Sequence, residues 1–341
     1  MILRLPFYRL RFHFTAQQPV SFPPGETANS LRGALGLLLR RLCCRPDCPS
    51  AALCPLAGHC FYDRLFAPVA RLPQLRGFHS PPRPLVLRVS HLDGLTLPPG
   101  GALWFDIHLF DCHPAAVHSL AQAFAALATE GLGPLRRRLL LTRCAVLDFQ
   151  QNQTAGFSPP QDLSASPLPP PLTLDLPLSA PPQASGSQDL ELAIHFLTPT
   201  ELKAQGRLCP PEAPVVAARA VDRIAALTHF YAHPVWNWSD FISARRTLLN
   251  CAERLQLIQA DLRPVAVNRR SSRTGQSYRL QGFVGQVRYR GPASAIQTLL
   301  PWLTAARFTG LGRHTVWGKG EIAALLPPSG LLPAPLPQCG Y

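Results

Sequence analysis

The sequence predicts an α+β protein in which one plan, strand–helix–strand–strand–helix–strand, is laid down twice. Three observations predict it. Alternating and helix-spaced apolar patterns succeed one another in that order along the first 150 residues. The order returns after residue 190 with one added helix. Between the two, residues 151–190 hold nine prolines and neither lysine nor arginine, the composition of a linker or long loop. The strand–helix order is that of the ferredoxin-like, or split-βαβ, unit. The expectation is therefore two tandem ferredoxin-like domains, at 1–150 and 191–341, with a Cys-rich insertion in the first and a glycine-rich loop near the end of the second.

In the first half, Tyr8, Leu10, Phe12 and Phe14 alternate with Arg9, Arg11 and His13, which makes 8–22 a strand. Leu31, Ala34, Leu35, Leu38, Leu39 and Leu42 form the apolar face of a helix, with Asn29 or Ser30 as its N-cap. Arg32, Arg40 and Arg41 lie off that face. Strands follow at 84–90 and 102–110, then a helix at 114–130 closed by Gly131, then a strand running from Arg138 through Phe149. In the second half the strand 190–197 precedes helices at 214–232 and 239–255, the latter carrying Arg245 and Arg246. A strand to Val267, a return strand at 283–290, a short helix from Pro292 and a last strand from Lys319 complete the plan.

The 341 residues are 47% hydrophobic and 15% charged, enough apolar material for a core. The net charge of +14 points to a polyanion, nucleic acid first. Of 33 basic residues only Lys203 and Lys319 are lysines. Arginine suits bidentate phosphate contacts and base stacking, although a GC-rich genome would produce the same bias. No run of 18 apolar residues appears and the N-terminus lacks a signal-peptide layout, so the expected location is cytoplasmic, with no membrane partner.

Three stretches carry chemistry. Five of ten cysteines crowd into 43–60. Cys44, Cys48, Cys54 and Cys60 could wrap a tetrahedral structural zinc, with Cys43 or His59 as substitute ligands and free thiols or an iron–sulfur cluster as alternatives. A basic hairpin follows Val267: Arg269, Arg270, Arg273 and Arg279 surround a turn at Gly275 and could grip phosphates, or simply discourage edge pairing. Last comes a doubled Gly-x-Gly: Gly310 and Gly312, then Gly318 and Gly320, with Arg313 and Lys319 inside. Such a loop can align backbone amides on a phosphate. It can also be a glycine-rich turn with incidental charge.

Taken together, four stretches resemble the CRISPR precursor-RNA processing endoribonucleases of the repeat-associated mysterious protein (RAMP) superfamily. They are Leu31–Gly36, Cys54-Pro55-Leu56 through Phe66, Phe196-Leu197-Thr198-Pro199 with Lys203 and Gly206-Arg207-Leu208, and the terminal glycine loop. The resemblance implies RAMP/RRM-like domains that bind CRISPR repeat RNA and crRNA, and association with other effector-complex subunits. It implies cleavage without a catalytic metal, by attack of a ribose 2′-hydroxyl on the adjacent phosphate, giving 2′,3′-cyclic phosphate and 5′-hydroxyl ends. Relatives often place a histidine at the first helix; here residues 30–42 hold no histidine, tyrosine or lysine. His79 and His314 stand as general acid–base candidates, and Arg32 as a stabiliser of charge too weakly acidic to act as a base. The alternative is a crRNA-binding subunit without cleavage.

Overall fold

The computed structural model describes residues 2–48, 53–56, 59–69, 80–158, 167–179, 189–204, 206–232, 237–270 and 277–326, which fall into two compact units. The N-terminal unit takes most of Leu5–Thr173. The elements of this half are β1 (Ile2–Ala16), β2 (Val20–Ser21), α1 (Thr27–Cys43), α2 (Phe61–Leu65), β3 (Leu85–Arg88), β4 (Thr96–Leu97), β5 (Ala102–Leu109), α3 (Pro114–Ala125), α4 (Leu127–Glu130), β6 (Leu139–Leu147), β7 (Gln153–Phe157) and β8 (Leu172–Pro177).

Alternation along β1 and β5 builds the core of this unit. Phe12 lies opposite Phe105 in the antiparallel register. Phe12, Phe14 and Phe105 project from one face and meet Phe124 of α3, with ring centroids 4.9 to 6.3 Å apart, and all four rings are buried. The strands run in the order β3-β5-β1-β6-β7, with β8 paired to β1. The first four are the second, third, first and fourth strands of the predicted unit, so the ferredoxin-like order is present.

Three expectations change here. Within 151–190, expected to be a linker or long loop, the described residues include two strands, β7 paired with β6 and β8 with β1. The helix predicted at 114–130 is two helices that meet at Ala126 before Gly131 turns the chain at φ 69°. Helix α1 begins before Asn29: Glu26 occupies the N-cap without a side-chain cap, and Asp93 accepts from the Thr27 amide (3.2 Å) and hydroxyl (2.5 Å) instead.

The C-terminal unit takes Leu174–Thr228 and the described part of Pro234–Cys339. Its half of the chain holds β9 (Asp189–Thr200), β10 (Lys203–Ala204), β11 (Arg207–Leu208), α5 (Ala213–Tyr231), α6 (Trp238–Glu253), β12 (Gln256–Arg270), β13 (Ser277–Pro292), α7 (Ala293–Thr309) and β14 (Ile322–Leu325). The sheet order β12-β13-β9-β14 repeats the ferredoxin-like order, with α6 as the added helix. Phe196, Val287, Tyr289, Leu299, Trp302 and Ile322 are buried in the core of this unit. Helix α7 continues to Thr309, past the end expected near Leu303, despite Pro301 in its interior. Among the described residues no helix is long and apolar enough to cross a membrane.

The opposite face of the N-terminal sheet carries charge. Asp106 is buried and sits across from Arg11, whose Nε and Nη2 donate at 2.6 and 3.0 Å, while Arg9 Nη2 donates at 2.9 Å. Burial alone would raise this carboxyl, but the Arg11 and Arg9 guanidiniums overcome it and hold it below its ordinary value. A depressed carboxyl stabilises the fold above its unfolded pKa, and that stability drains away as pH falls through the folded value. Asp106→Asn is therefore expected to cost about 3–5 kcal/mol at neutral pH, because it strands two arginines. The gap between variant and parent in urea unfolding should shrink below about pH 4.

Candidate nucleic-acid interface

The doubled Gly-x-Gly lies between α7 and β14, and it is built by close backbone approach. Gly310 ends α7 at φ 76°, and Gly312, Gly318 and Gly320 take φ of 78°, 66° and 71°, a region that side chains disfavour. A Cβ on Gly312 would collide with the carbonyl of Glu201, and one on Gly320 with the carbonyl of Leu311. The sequence suggested that the loop amides line up on an anion. The structure directs many of them inward: Gly310 N donates to Ala306 O, Leu311 N to Gly320 O, Arg313 N to Glu201 O, Gly318 N to Thr315 O and Gly320 N to Pro199 O, at 2.8 to 3.1 Å. The glycines thus dock the loop onto the segment Thr198–Leu202, and anion recognition falls to side chains.

Those side chains converge on Glu201, a residue that sequence reasoning passed over. Its carboxylate is buried. Oε1 accepts from Arg313 Nη1 at 2.7 Å and lies 3.9 Å from Lys203 Nζ, while Oε2 lies 3.5 Å from His314 Nε2. His314 holds φ 63°, rare outside glycine, and its ring stacks on Trp317 at 4.5 Å and 14°. The Arg313 side chain remains half exposed. Lys319, expected to supply charge to a ligand, is instead buried in the loop. The advance signal for Glu201 was an acidic residue just past the Phe196–Pro199 stretch, two positions before Lys203.

Next to this loop the β12–β13 ribbon projects. The last β9 partner of β13 is Thr200, opposite Phe283, and the ribbon continues through Val265↔Gly282 to Arg270↔Ser277. The backbones of Arg269, Arg270 and Arg279 lie on this extension, while Arg273 lies outside the described residues.

Residues 5–193 match the family model AF_1859_N, an N-terminal domain. Residues 194–322 match the model of the CRISPR-associated endoribonuclease Cas6. The C-terminal part of the chain is thus a Cas6-family domain. Among solved structures the chain is similar to a Thermus thermophilus Cas6 in a product complex, with 17% identity, 94% of this chain and 100% of that chain covered, and a TM-score of 0.52. It is also similar to a chain of a Cas6-RT-Cas1–Cas2 complex, with 13% identity, 95% and 29% covered, and a TM-score of 0.51. These likenesses concern the fold. No curated protein matches the sequence.

Other candidate residues divide into tied and exposed. Arg41 pairs with Glu130 and Arg245 with Asp222 (2.6 Å), so each joins one helix to another. Arg40 and Arg246 are exposed on α1 and α6. Arg32 is buried, its guanidinium 4.6 Å from the Phe66 ring centroid, where Gly36 leaves room for that ring. His79 lies outside the described residues.

The thiols of Cys44, Cys48, Cys54 and Cys60 are neighbours: Cys44 contacts Cys60 and Cys48, and Cys48 contacts Cys54. Burial first, then the Cys60 thiol, push Cys44 up to about 12. Cys60 Sγ turns to the Cys43 carbonyl at 3.7 Å. Among the described residues no group of three or more His, Cys, Asp or Glu is arranged to hold a metal, so the expected structural zinc finds no support in the geometry.

Gly320→Ala and Gly312→Ala are expected to lose about 1–2 kcal/mol to positive φ alone, and more to the collisions. Gly33→Ala, where an added Cβ meets nothing within 4 Å in helix α1, should instead gain about 0.5–1 kcal/mol. Thermal melting of the three variants checks both signs.

Proposed function

We propose that this chain binds CRISPR repeat RNA at the glycine loop and the β12–β13 ribbon and cuts it once, without a catalytic metal, to process precursor crRNA. One observation carries the reading: within the part of the chain that matches the Cas6 model, a histidine and an arginine are held side by side on the loop by the buried Glu201 carboxylate. The 2′-oxygen attacks the adjacent phosphorus, and the bond to the 5′-oxygen breaks. His314 as imidazolium gives the departing 5′-oxygen its proton, while the 2′-hydroxyl proton passes to water. Arg313 neutralises charge that grows on the phosphorane. The product carries a 2′,3′-cyclic phosphate and stays bound for use in an effector complex, in the company of other CRISPR proteins.

A second reading has its own support. Helix α1 carries no histidine, tyrosine or lysine, which favours an RNA-binding subunit that does not cut. Incubation with cognate repeat RNA in the presence of EDTA, with end mapping, separates the two. The expected result is a single cut with cyclic-phosphate and 5′-hydroxyl ends. His314→Ala should slow single-turnover cleavage by roughly 10²–10⁴-fold and change affinity little. Tight, salt-sensitive binding with intact RNA would establish the second reading, and cleavage abolished by EDTA would overturn the metal-free mechanism.

A further inference from the structure

We infer that Glu201 is the positioning residue of this site, acting on RNA cleavage through His314 and not by touching RNA. The inference rests on the reading of His314 as the general acid. Three independent observations meet at this carboxylate. Its two oxygens are divided, Oε1 toward Arg313 and Lys203 and Oε2 toward His314. Its own backbone carbonyl accepts from Arg313 N at 3.0 Å, so one residue fixes both the main chain and the side chains of the loop. The imidazole it faces is confined on the other side by the Trp317 ring and sits on a left-handed backbone. A non-glycine residue held at such φ costs free energy and persists where the surroundings over-determine it.

Glu201 is 7% exposed. A phosphate arriving at the half-exposed Arg313 therefore meets guanidinium and imidazole before it meets the carboxylate. The charge of Glu201 favours the protonated imidazole, whereas Arg313, Lys203 and the buried Lys319 of the same neighbourhood oppose it. Removing only the carboxylate charge therefore moves the imidazole titration downward.

Glu201→Gln preserves the shape of the side chain and removes that charge. In the full-length chain, the His314 resonance, assigned by its loss in His314→Ala, is expected to titrate ~1 pH unit lower in Glu201→Gln. Single-turnover cleavage at a pH above that titration should fall about 10-fold, the same displacement read as a rate. Repeat-RNA affinity should stay level or tighten, since a negative charge beside the phosphate has gone. In the His314→Ala background Glu201→Gln should add little further loss. A merely structural glutamate would instead lower melting temperature and affinity together, with losses that multiply across the double variant.

An unmoved His314 titration overturns the inference whether or not the parent cuts RNA. A parent that fails to cut overturns the function proposed above, and the titration still decides whether Glu201 governs His314. Should Glu201→Gln melt, Glu201→Asp retains the charge one methylene shorter. It is expected to give an intermediate titration shift, and none would sink the inference.

Discussion

The approach of residues 310–320 to the segment 198–202 is the constraint on which the C-terminal site depends. Gly312 can pass the Glu201 carbonyl only because it has no Cβ, and Gly320 passes the Leu311 carbonyl for the same reason. From that contact the rest follows. Arg313 N reaches Glu201 O, Gly320 N reaches Pro199 O, and Thr198 Oγ1 takes the Glu321 amide at 2.9 Å as the chain enters β14. Strand β14 then pairs with β9 from Ile322↔Phe196 onward. The loop thus fastens the last strand to the sheet, and its cationic side chains are presented from backbone that these hydrogen bonds hold in place.

The same electrostatic device occurs in both units. A buried carboxylate is costly to desolvate and persists when several donors meet it. Asp106 is met by Arg9 and Arg11, and the Arg11 guanidinium lies 3.8 Å from the Trp104 ring centroid, which in turn stacks with His91 at 4.2 Å. Glu201 is met by Arg313, with Lys203 and His314 nearby. In each case the acid sets the direction of arginines that would otherwise sample many rotamers, and planar guanidinium gains more from that fixing than lysine would. The near absence of lysine from this basic chain therefore has a structural side as well as an RNA-facing one.

Much of the fold was legible because its signals are local. Alternation in β1 and β5 and helical spacing in α1 and α3 report directly which side chains face the core, and strand–helix order then restricts topology. The proline-rich stretch hid its strands for a physical reason. Leu172, Leu174 and Leu176 alternate with Thr173 and Asp175 in β8, yet composition averaged over forty residues hides a six-residue strand. The N-cap of α1 misled because Asp93, distant in sequence, supplies the acceptor. At the site the glycines were legible and their use was not: positive φ follows from sequence, whereas which carbonyls receive the amides is decided by tertiary approach. The role of Glu201 was hidden for the same reason, since an isolated acid next to a strand acquires meaning only when Arg313 and His314 fold over it.

The net charge of +14 overstates the free positive surface. Arg9, Arg11, Arg41, Arg64, Arg245 and Arg290 each hold an acidic partner within their own unit. Such pairs contribute orientation and some stability, and they reduce what is available for phosphate. Arg313 combines a buried carboxylate partner with a half-exposed side chain of its own. It can keep the Glu201 contact through one nitrogen and offer the others outward, as the five-donor guanidinium permits. A lysine at this position would have to choose between carboxylate and phosphate far more often. The loop's capacity to hold an anion therefore resides in the geometry of one arginine and its buried anchor, and only secondarily in the number of positive charges around it.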